Sequence, residues 1–186
     1  MLAPIDVTNI RIETERLVLR PWRQSDLEDF YTYASVEGVG EMAGWTHHKD
    51  RGESQAVLNS FMEEKKTFAL EWKATGQVIG SLGIEEYNAA EFDEPDLYGR
   101  ELGYVLSRDH WGRGLMTEAV GAVIDYCFNT LHYDFLMCSH FIRNDRSRRV
   151  VEKSGFQFIK ELAYETRYGS LEPAKIYVLY NPERKR

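Results

Sequence analysis

The 186-residue chain is expected to fold as an α/β protein in which one mixed sheet is flanked by helices. Two apolar runs, Thr67–Trp72 and Gln77–Tyr87, stand either side of Lys73-Ala74-Thr75-Gly76 and predict a hairpin. Further on, strand-like runs at 100–106 and 135–141 flank an amphipathic stretch, which predicts a β-α-β crossover. Phe156–Tyr164 and Lys175–Tyr180, joined around Gly169, add a closing pair of strands. Hairpins and a crossover together require antiparallel and parallel neighbours in one sheet.

Taken in order, residues 10–20 include Arg16-Leu17-Val18-Leu19-Arg20, the composition of an opening strand, which Pro21 stops. Ser25 is the expected N-cap of a helix that begins Asp26-Leu27-Glu28-Asp29-Phe30-Tyr31. Residues 36–49 are punctuated by glycine and carry Gly44-Trp45-Thr46-His47-His48. A second helix is expected over 54–65. A third is expected over 115–131, where apolar residues recur at 116, 119, 120, 123, 124, 127 and 131. Residues 88–99 are acidic, contain Pro95 and read as an exposed loop. Asn144 is placed to cap a short helix ending at Ser154, with Gly155 as its stop. No repeat or long linker divides the chain, so residues 1–186 are expected to form a single domain with a core of its own.

The formal charge of −7 argues against nucleic acid as a partner and suits a basic small molecule or a basic peptide. Cys127 and Cys138 are the only cysteines, and both read as small buried hydrophobes rather than a disulfide or metal ligands. No targeting pattern opens the chain and no apolar run approaches membrane-spanning length. A cytoplasmic protein with no membrane partner is the expectation.

Chemistry concentrates in Asp109-His110-Trp111-Gly112-Arg113-Gly114-Leu115-Met116-Thr117-Glu118, between the strand at 100–106 and the helix at 115. The first N–H groups of a helix have no internal partner and the macrodipole is positive there, so such a junction binds anions. Gly112 and Gly114 allow positive φ and a close backbone approach, and Arg113 offers a charge-assisted phosphate contact. The alternative is a plain strand-to-helix turn. The segment is not a P-loop, because no Gly-Lys-Ser/Thr follows, and it lacks the Gly-x-Gly-x-x-Gly of dinucleotide folds. Gly103 inside the strand marks either a bulge or a place where a ligand approaches closely. Later, Arg143, Arg146, Arg148, Arg149 and Lys153 crowd a short piece of an acidic chain, as a site for an anion would.

Glu101-Leu102-Gly103-Tyr104, His110-Trp111-Gly112-Arg113-Gly114 and Thr117-Glu118-Ala119 together resemble the acetyl-CoA signature of GNAT-type N-acetyltransferases. Within that superfamily the resemblance is to the branch typified by ribosomal-protein alanine N-acetyltransferases. Thr14-Glu15-Arg16-Leu17, Leu19-Arg20 and Asp26 resemble the opening of that branch. Asn144, Ser147 and Lys153-Ser154-Gly155-Phe156 resemble its second cofactor segment. One position departs: the superfamily pattern asks for Arg or Gln at 109, and Asp109 stands there, so a side-chain phosphate contact is lost while the backbone cradle remains. The resemblance implies a GNAT-like, mostly antiparallel sheet with a splayed central strand, acetyl-CoA as cosubstrate without a metal, and a peptide or small-molecule amine as acceptor. A homodimer is common in the branch. Cofactor contacts are implied for Tyr104, Val105, Leu106, Trp111, Gly112, Arg113, Gly114, Leu115, Met116, Thr117, Asn144 and Arg149.

Acetyl transfer to an amine needs the amine neutral, and at pH 7 roughly a tenth of an α-amine is neutral against about one lysine amine in several thousand. A general base removes the remaining proton. Glu101 qualifies by its place on the signature strand, Glu165 by resemblance to the branch, and either can equally be a solvent-facing strand carboxylate. The oxyanion needs a donor, for which the backbone N–H of Tyr104 or Val105 is suited. Ser147 is the acid by resemblance, or simply a first-turn helix serine. Trp45, His47 and His48 fall where the family forms its acceptor side; His47 is a base by its titration range, or a residue of an exposed loop. The expected activity is N-acetylation of a primary amine from acetyl-CoA, a protein N-terminal amine being the acceptor the branch resemblance suggests. Acetylation of a polyamine, amino acid or antibiotic, or a non-catalytic acyl-CoA-binding module, are the alternatives.

Overall fold

The computed structural model describes residues 1–88, 92, 94 and 96–184; residues 89–91, 93 and 95 of the expected acidic loop lie outside the described residues. Eight strands form one open sheet: β1 (Ile12–Glu13), β2 (Leu17–Pro21), β3 (Thr67–Trp72), β4 (Val78–Glu85), β5 (Gly99–Leu106), β6 (Phe135–Phe141), β7 (Gln157–Glu165) and β8 (Leu171–Tyr180). Their order is β1-β2-β3-β4-β5-β6-β8-β7. Every pairing is antiparallel except β5 with β6, which the crossover makes parallel. Four α-helices flank the sheet: α1 (Leu27–Ala34), α2 (Arg51–Glu64), α3 (Leu115–Asp125) and α4 (Asp145–Lys153).

The period-two alternation of the strands divides the core. Leu17, Leu19, Phe68, Leu82, Leu102 and Leu106 turn to one face, where α3 supplies Met116, Ala119, Val120 and Val123, and α4 supplies Val151. Ala69 and Val78 turn to the other, under Phe30 and Tyr33 of α1 and Leu58 of α2. The parallel pairing is short. It runs from Gly99↔Phe135 to Leu102↔Cys138 and stops. Beyond it β5 follows β4 as far as Gly80↔Leu106, while β6 follows β8 as far as Phe141↔Ala174. The expected splayed strand is therefore present, and it opens at Gly103. No bulge occurs there, since Gly103 pairs in register with Gly83.

Several local expectations differ in detail. Residues 10–20 form two strands joined at Thr14, where the Leu17 N–H donates to the Thr14 hydroxyl. Ser25 is not a cap; it lies inside a 3-10 turn, Gln24–Asp26, and the Asp26 carboxylate accepts from the Arg23 N–H. Helix α2 begins three residues early because Asp50 caps it, accepting from the Glu53 N–H. The third helix gives way to a π-turn over Tyr126–Thr130, with the Leu131 N–H reaching Tyr126 O; apolar spacing alone does not distinguish such a turn from α-helix. Strand β8 starts at Leu171, through Pro173, whose missing N–H falls beyond the last β6 pairing. Asn144 does cap α4 through the Ser147 N–H, and Gly155 ends it at φ +85°.

One buried ionic group holds α1 to the sheet. The Arg20 guanidinium donates to both Asp26 oxygens at 2.8 and 2.9 Å and to Glu71 at 2.6 Å. Arg20 and Asp26 are 4 % and 5 % exposed. Removing one partner of a buried pair leaves an uncompensated charge, so Asp26→Ala should destabilise the fold by about 3 kcal/mol in denaturant unfolding. The segment between α1 and α2 has its own anchor, Glu41, which accepts from the Gly38 and His47 N–H groups and bonds the His47 ring. Burial opposes ionisation of Glu41, but the His47 backbone and ring and the Gly38 backbone outweigh it and hold the carboxyl at about 2, below its ordinary 4.5. Because the folded value is the lower one, this anchoring is complete above about 4.5 and is lost as pH falls toward 2. Tryptophan emission should therefore shift over that interval in the native chain, through Trp45, and the shift should be absent in Glu41→Gln.

Candidate active site

The gap between β5 and β6 widens into a cleft of about 1140 Å³ that reaches both faces of the sheet. At one end it meets the N-terminus of α3, whose first hydrogen bond runs from the Glu118 N–H to Gly114 O. The N–H groups of Leu115, Met116 and Thr117 precede that bond, and no side chain caps them, because the N-cap is Gly114 at φ +76°. Gly112, at φ +75°, has nothing within 4 Å of where a Cβ would stand. Glycine, left-handed backbone and three N–H groups unclaimed among the described residues make a cradle for an anion. Trp111, Gly112, Gly114, Leu115, Met116 and Thr117 all line the cleft. Arg113 does not: its guanidinium lies 5.9 Å from the Trp72 ring centroid, and its carbonyl accepts from Arg16.

The basic segment resolves into two groups. Arg143 pairs with Glu172, and Arg148 pairs with Asp145 and Glu152. Arg146, Arg149 and Lys153 line the cleft, with Arg146 stacked 4.4 Å over the Trp111 ring. All three line the same cleft as the α3 N-terminus, so the residues present fit the phosphates of coenzyme A. Asn144 also lines the cleft, but its side chain is engaged: Oδ1 accepts from the Ser147 N–H and Nδ2 donates to Met42 O.

The backbone of β5 sorts its own N–H groups. Ser107 donates to Ile79 O on β4, so by alternation Val105 and Gly103 point the same way, into the β4 ladder. Tyr104 and Leu106 point into the gap, where Leu106 O accepts from the Trp111 indole at 2.8 Å. On the α3–α4 face, the Tyr104 hydroxyl lies 2.8 Å from Ser147 Oγ. Burial pushes the Tyr104 phenol well above its usual range, so it stays protonated and able to donate. Ser147 is 9 % exposed, at the first turn of α4. Cys138 lies beneath, buried, with its thiol also raised by burial, as a core residue should be.

On the opposite face, Glu101 sits one residue before the last parallel pair and accepts from Ser139 Oγ at 2.6 Å. Glu165 ends β7 and is exposed at the cleft margin, one residue after Tyr164, which packs on Phe141. Trp45 lines this half of the cleft and fills the space a Cβ on Gly40 would need. Of the two adjacent histidines, His47 is bonded to Glu41 and lies off the cleft wall. His48 lines it, with its ring 2.7 Å from the Ser54 hydroxyl and its pKa lowered by burial. The sequence puts His48 with Trp45 and His47 in the acceptor-side segment, whereas Ser139 and Thr67 carry no expected role; period-two position on β6 and β3 was the available signal for these two. Among the described residues, no group of three or more His, Cys, Asp or Glu is placed to hold a metal ion, and no helix is long and apolar enough to cross a membrane.

Comparison with known proteins agrees with this geometry. The model of the acetyltransferase (GNAT) domain matches residues 16–157. A relative named uncharacterized N-acetyltransferase YoaA, from Bacillus subtilis, is 24 % identical over 183 residues, 92 % of this chain and 97 % of that one. The [ribosomal protein uS5]-alanine N-acetyltransferase of Escherichia coli is 25 % identical over 165 residues, 82 % of this chain and 80 % of that one. A GNAT-family acetyltransferase crystal structure from Bacillus anthracis superposes with a TM-score of 0.81 at 19 % identity, covering 94 % of this chain and all of the other. Cradle, parted strands and family match converge: the chain belongs to the GNAT acetyltransferases and is an acetyl-CoA-dependent N-acetyltransferase acting on an amine.

Proposed function

We propose that the chain works as one catalytic domain that acetylates the α-amine of a peptide or protein N-terminus, with Glu101 as general base and Ser147 as general acid. The carrying observation is that the parting of β5 and β6 leaves Glu101 on one face of a gap and the Ser147–Tyr104 hydroxyl pair on the other. Acetyl-CoA, when bound, supplies the activated acyl group. Leu115, Met116 and Thr117 N–H groups hold its phosphates, assisted by Arg146, Arg149 and Lys153. The Tyr104 N–H, aimed into the gap, donates to the carbonyl oxygen as that oxygen gains charge.

Glu101 takes the proton that the attacking nitrogen sheds, directly or through a water, with Ser139 fixing one carboxylate oxygen. As the carbon–sulfur bond breaks, Ser147 Oγ gives its proton to the sulfur and Tyr104 shares the load. Trp45 and His48 border the acceptor half. An α-amine suits this apparatus because an appreciable fraction is already neutral near pH 7. The similarity to a uS5-alanine acetyltransferase supports the same acceptor class.

Steady-state kinetics on a short peptide with a free N-terminus test the assignment. Glu101→Gln should lower kcat by about 10²-fold or more and abolish the fall in rate at acid pH, whereas Glu165→Gln should leave that fall in place. The reverse result would move the base to Glu165. Ser147→Ala should lower kcat by about 10²-fold with little change in the KM for acetyl-CoA.

A further inference from the structure

The cleft is divided by charge. Its α3–α4 end carries Arg146, Arg149 and Lys153, whereas its α1–α2 end carries Glu85 and Glu101, with Arg167 at the rim. Glu85 and Glu101 are register partners on adjacent strands, so their side chains rise from directly opposite positions on the same face. Like charges in that position repel, a cost a sheet ordinarily avoids. The two carboxylates lean apart, Glu101 to Ser139 on β6 and Glu85 toward the β3 side. Lys66 holds Glu85 by Oε2 at 2.9 Å, and the other oxygen folds over Gly83, where a Cβ would stand 2.2 Å from it. Gly83 in turn pairs with Gly103, whose absent side chain keeps the floor bare.

A second, independent feature lies beside this floor. Thr67 is the register partner of Gly83 on the β3 side, lines the cleft and is 4 % exposed. Its hydroxyl is buried with no hydrogen-bond partner among the described residues. An orphaned hydroxyl costs stability, and here it costs it next to an inward-turned carboxylate. Both features are relieved by the same thing, a hydrogen-bond donor with positive charge. The aromatic walls, Phe30, Trp45 and Phe61, suit the apolar stem of such a group.

We propose that Glu85 and Thr67 form a subsite for a second positive charge on the acceptor, so that the preferred acceptor is a dication. Its reactive amine faces Glu101, and another cationic group a few bonds away rests over Gly83 and Gly103. This rests on the acetyl-transfer reading of the same cleft. The shared chemistry is met by a peptide whose N-terminal amine is followed by a basic side chain, and by a linear diamine.

Two matched pairs of probes separate the sources: Ala-Lys amide against Ala-norleucine amide, and cadaverine against pentylamine. The charged member of at least one pair should show a kcat/KM about tenfold higher. Glu85→Gln should bring it down to the level of its neutral partner. Thr67→Val should weaken the preference in the same direction while leaving the melting temperature equal or higher, which a purely structural threonine would not do. Equal kcat/KM within both pairs, or a preference that survives Glu85→Gln, overturns the proposal. Should no amine be acetylated, the reading of the reaction fails, and titration calorimetry of cadaverine and Ala-Lys amide into the coenzyme A complex still decides this one. Heat that disappears in Glu85→Gln supports the subsite; no heat from either probe overturns it.

Discussion

The short parallel pairing of β5 with β6 is the constraint on which the site depends. A strand interior to a sheet normally spends its N–H and C=O groups on both neighbours. After Leu102, β5 gives one side to β4 and β6 gives its opposite side to β8, so the inner edges of both face an opening. Tyr104 and Leu106 thereby keep backbone groups that, among the described residues, no strand claims, and of these Leu106 O is taken by Trp111. The crossover makes the pairing parallel, and it also delivers the uncapped N-terminus of α3 to the same opening. Cleft, oxyanion donor and phosphate cradle thus share one geometric origin.

That opening is held at its edges by contacts distant in sequence. Glu118, in the first turn of α3, accepts from the Thr14 hydroxyl at 2.5 Å and from the Arg16 N–H at 2.8 Å, and pairs with the Arg16 guanidinium. Arg16 also donates to Arg113 O, so the β1–β2 hairpin steadies the glycine-containing loop from outside. Burial works against an ionised Glu118, but Thr14 and Arg16 outweigh it and lower its pKa, so the tie carries charge at neutral pH. On the other flank, Asn144 joins α4 to Met42 and Arg143 joins it to Glu41 O, linking the cofactor and acceptor halves. The residues that made the opening segment and the signature resemble one family are the two ends of these contacts.

The strand order around the crossover was legible because hairpin turns and period-two runs are local signals, and the glycine pair before α3 was legible because only glycine adopts those φ values cheaply. Asn144 and Gly155 were legible for the same reason, since caps are set by the residues beside them. What escaped was decided across the sheet. His47 and His48 are adjacent in sequence, yet only the fold determines that the first bonds Glu41 and the second borders the cleft. The five cations of the α4 region look alike in sequence, and Arg143 and Arg148 are distinguished only by carboxylates brought to them by β8 and by α4 itself. Register, too, was invisible: Glu85 faces Glu101 and Thr67 faces Gly83 only because β3, β4 and β5 align so.

These last positions concern how the sheet tolerates its own site. On β2 the buried Arg20 is matched by Asp26 and Glu71. Where Thr67, Glu85 and Glu101 meet, it accepts an orphaned hydroxyl and two opposed carboxylates, and it does so over two facing glycines that add nothing to packing. A sequence selected for stability alone would place a β-branched side chain at Gly83 and an apolar one at Thr67. Departures from local rules that cluster on one face, beside a base and a hydroxyl pair, are what a binding surface costs the fold that carries it. The opposed charges therefore belong with the parted strands. Lys66 and Ser139 offset part of that cost, and the two ends of the cleft carry side chains of opposite sign.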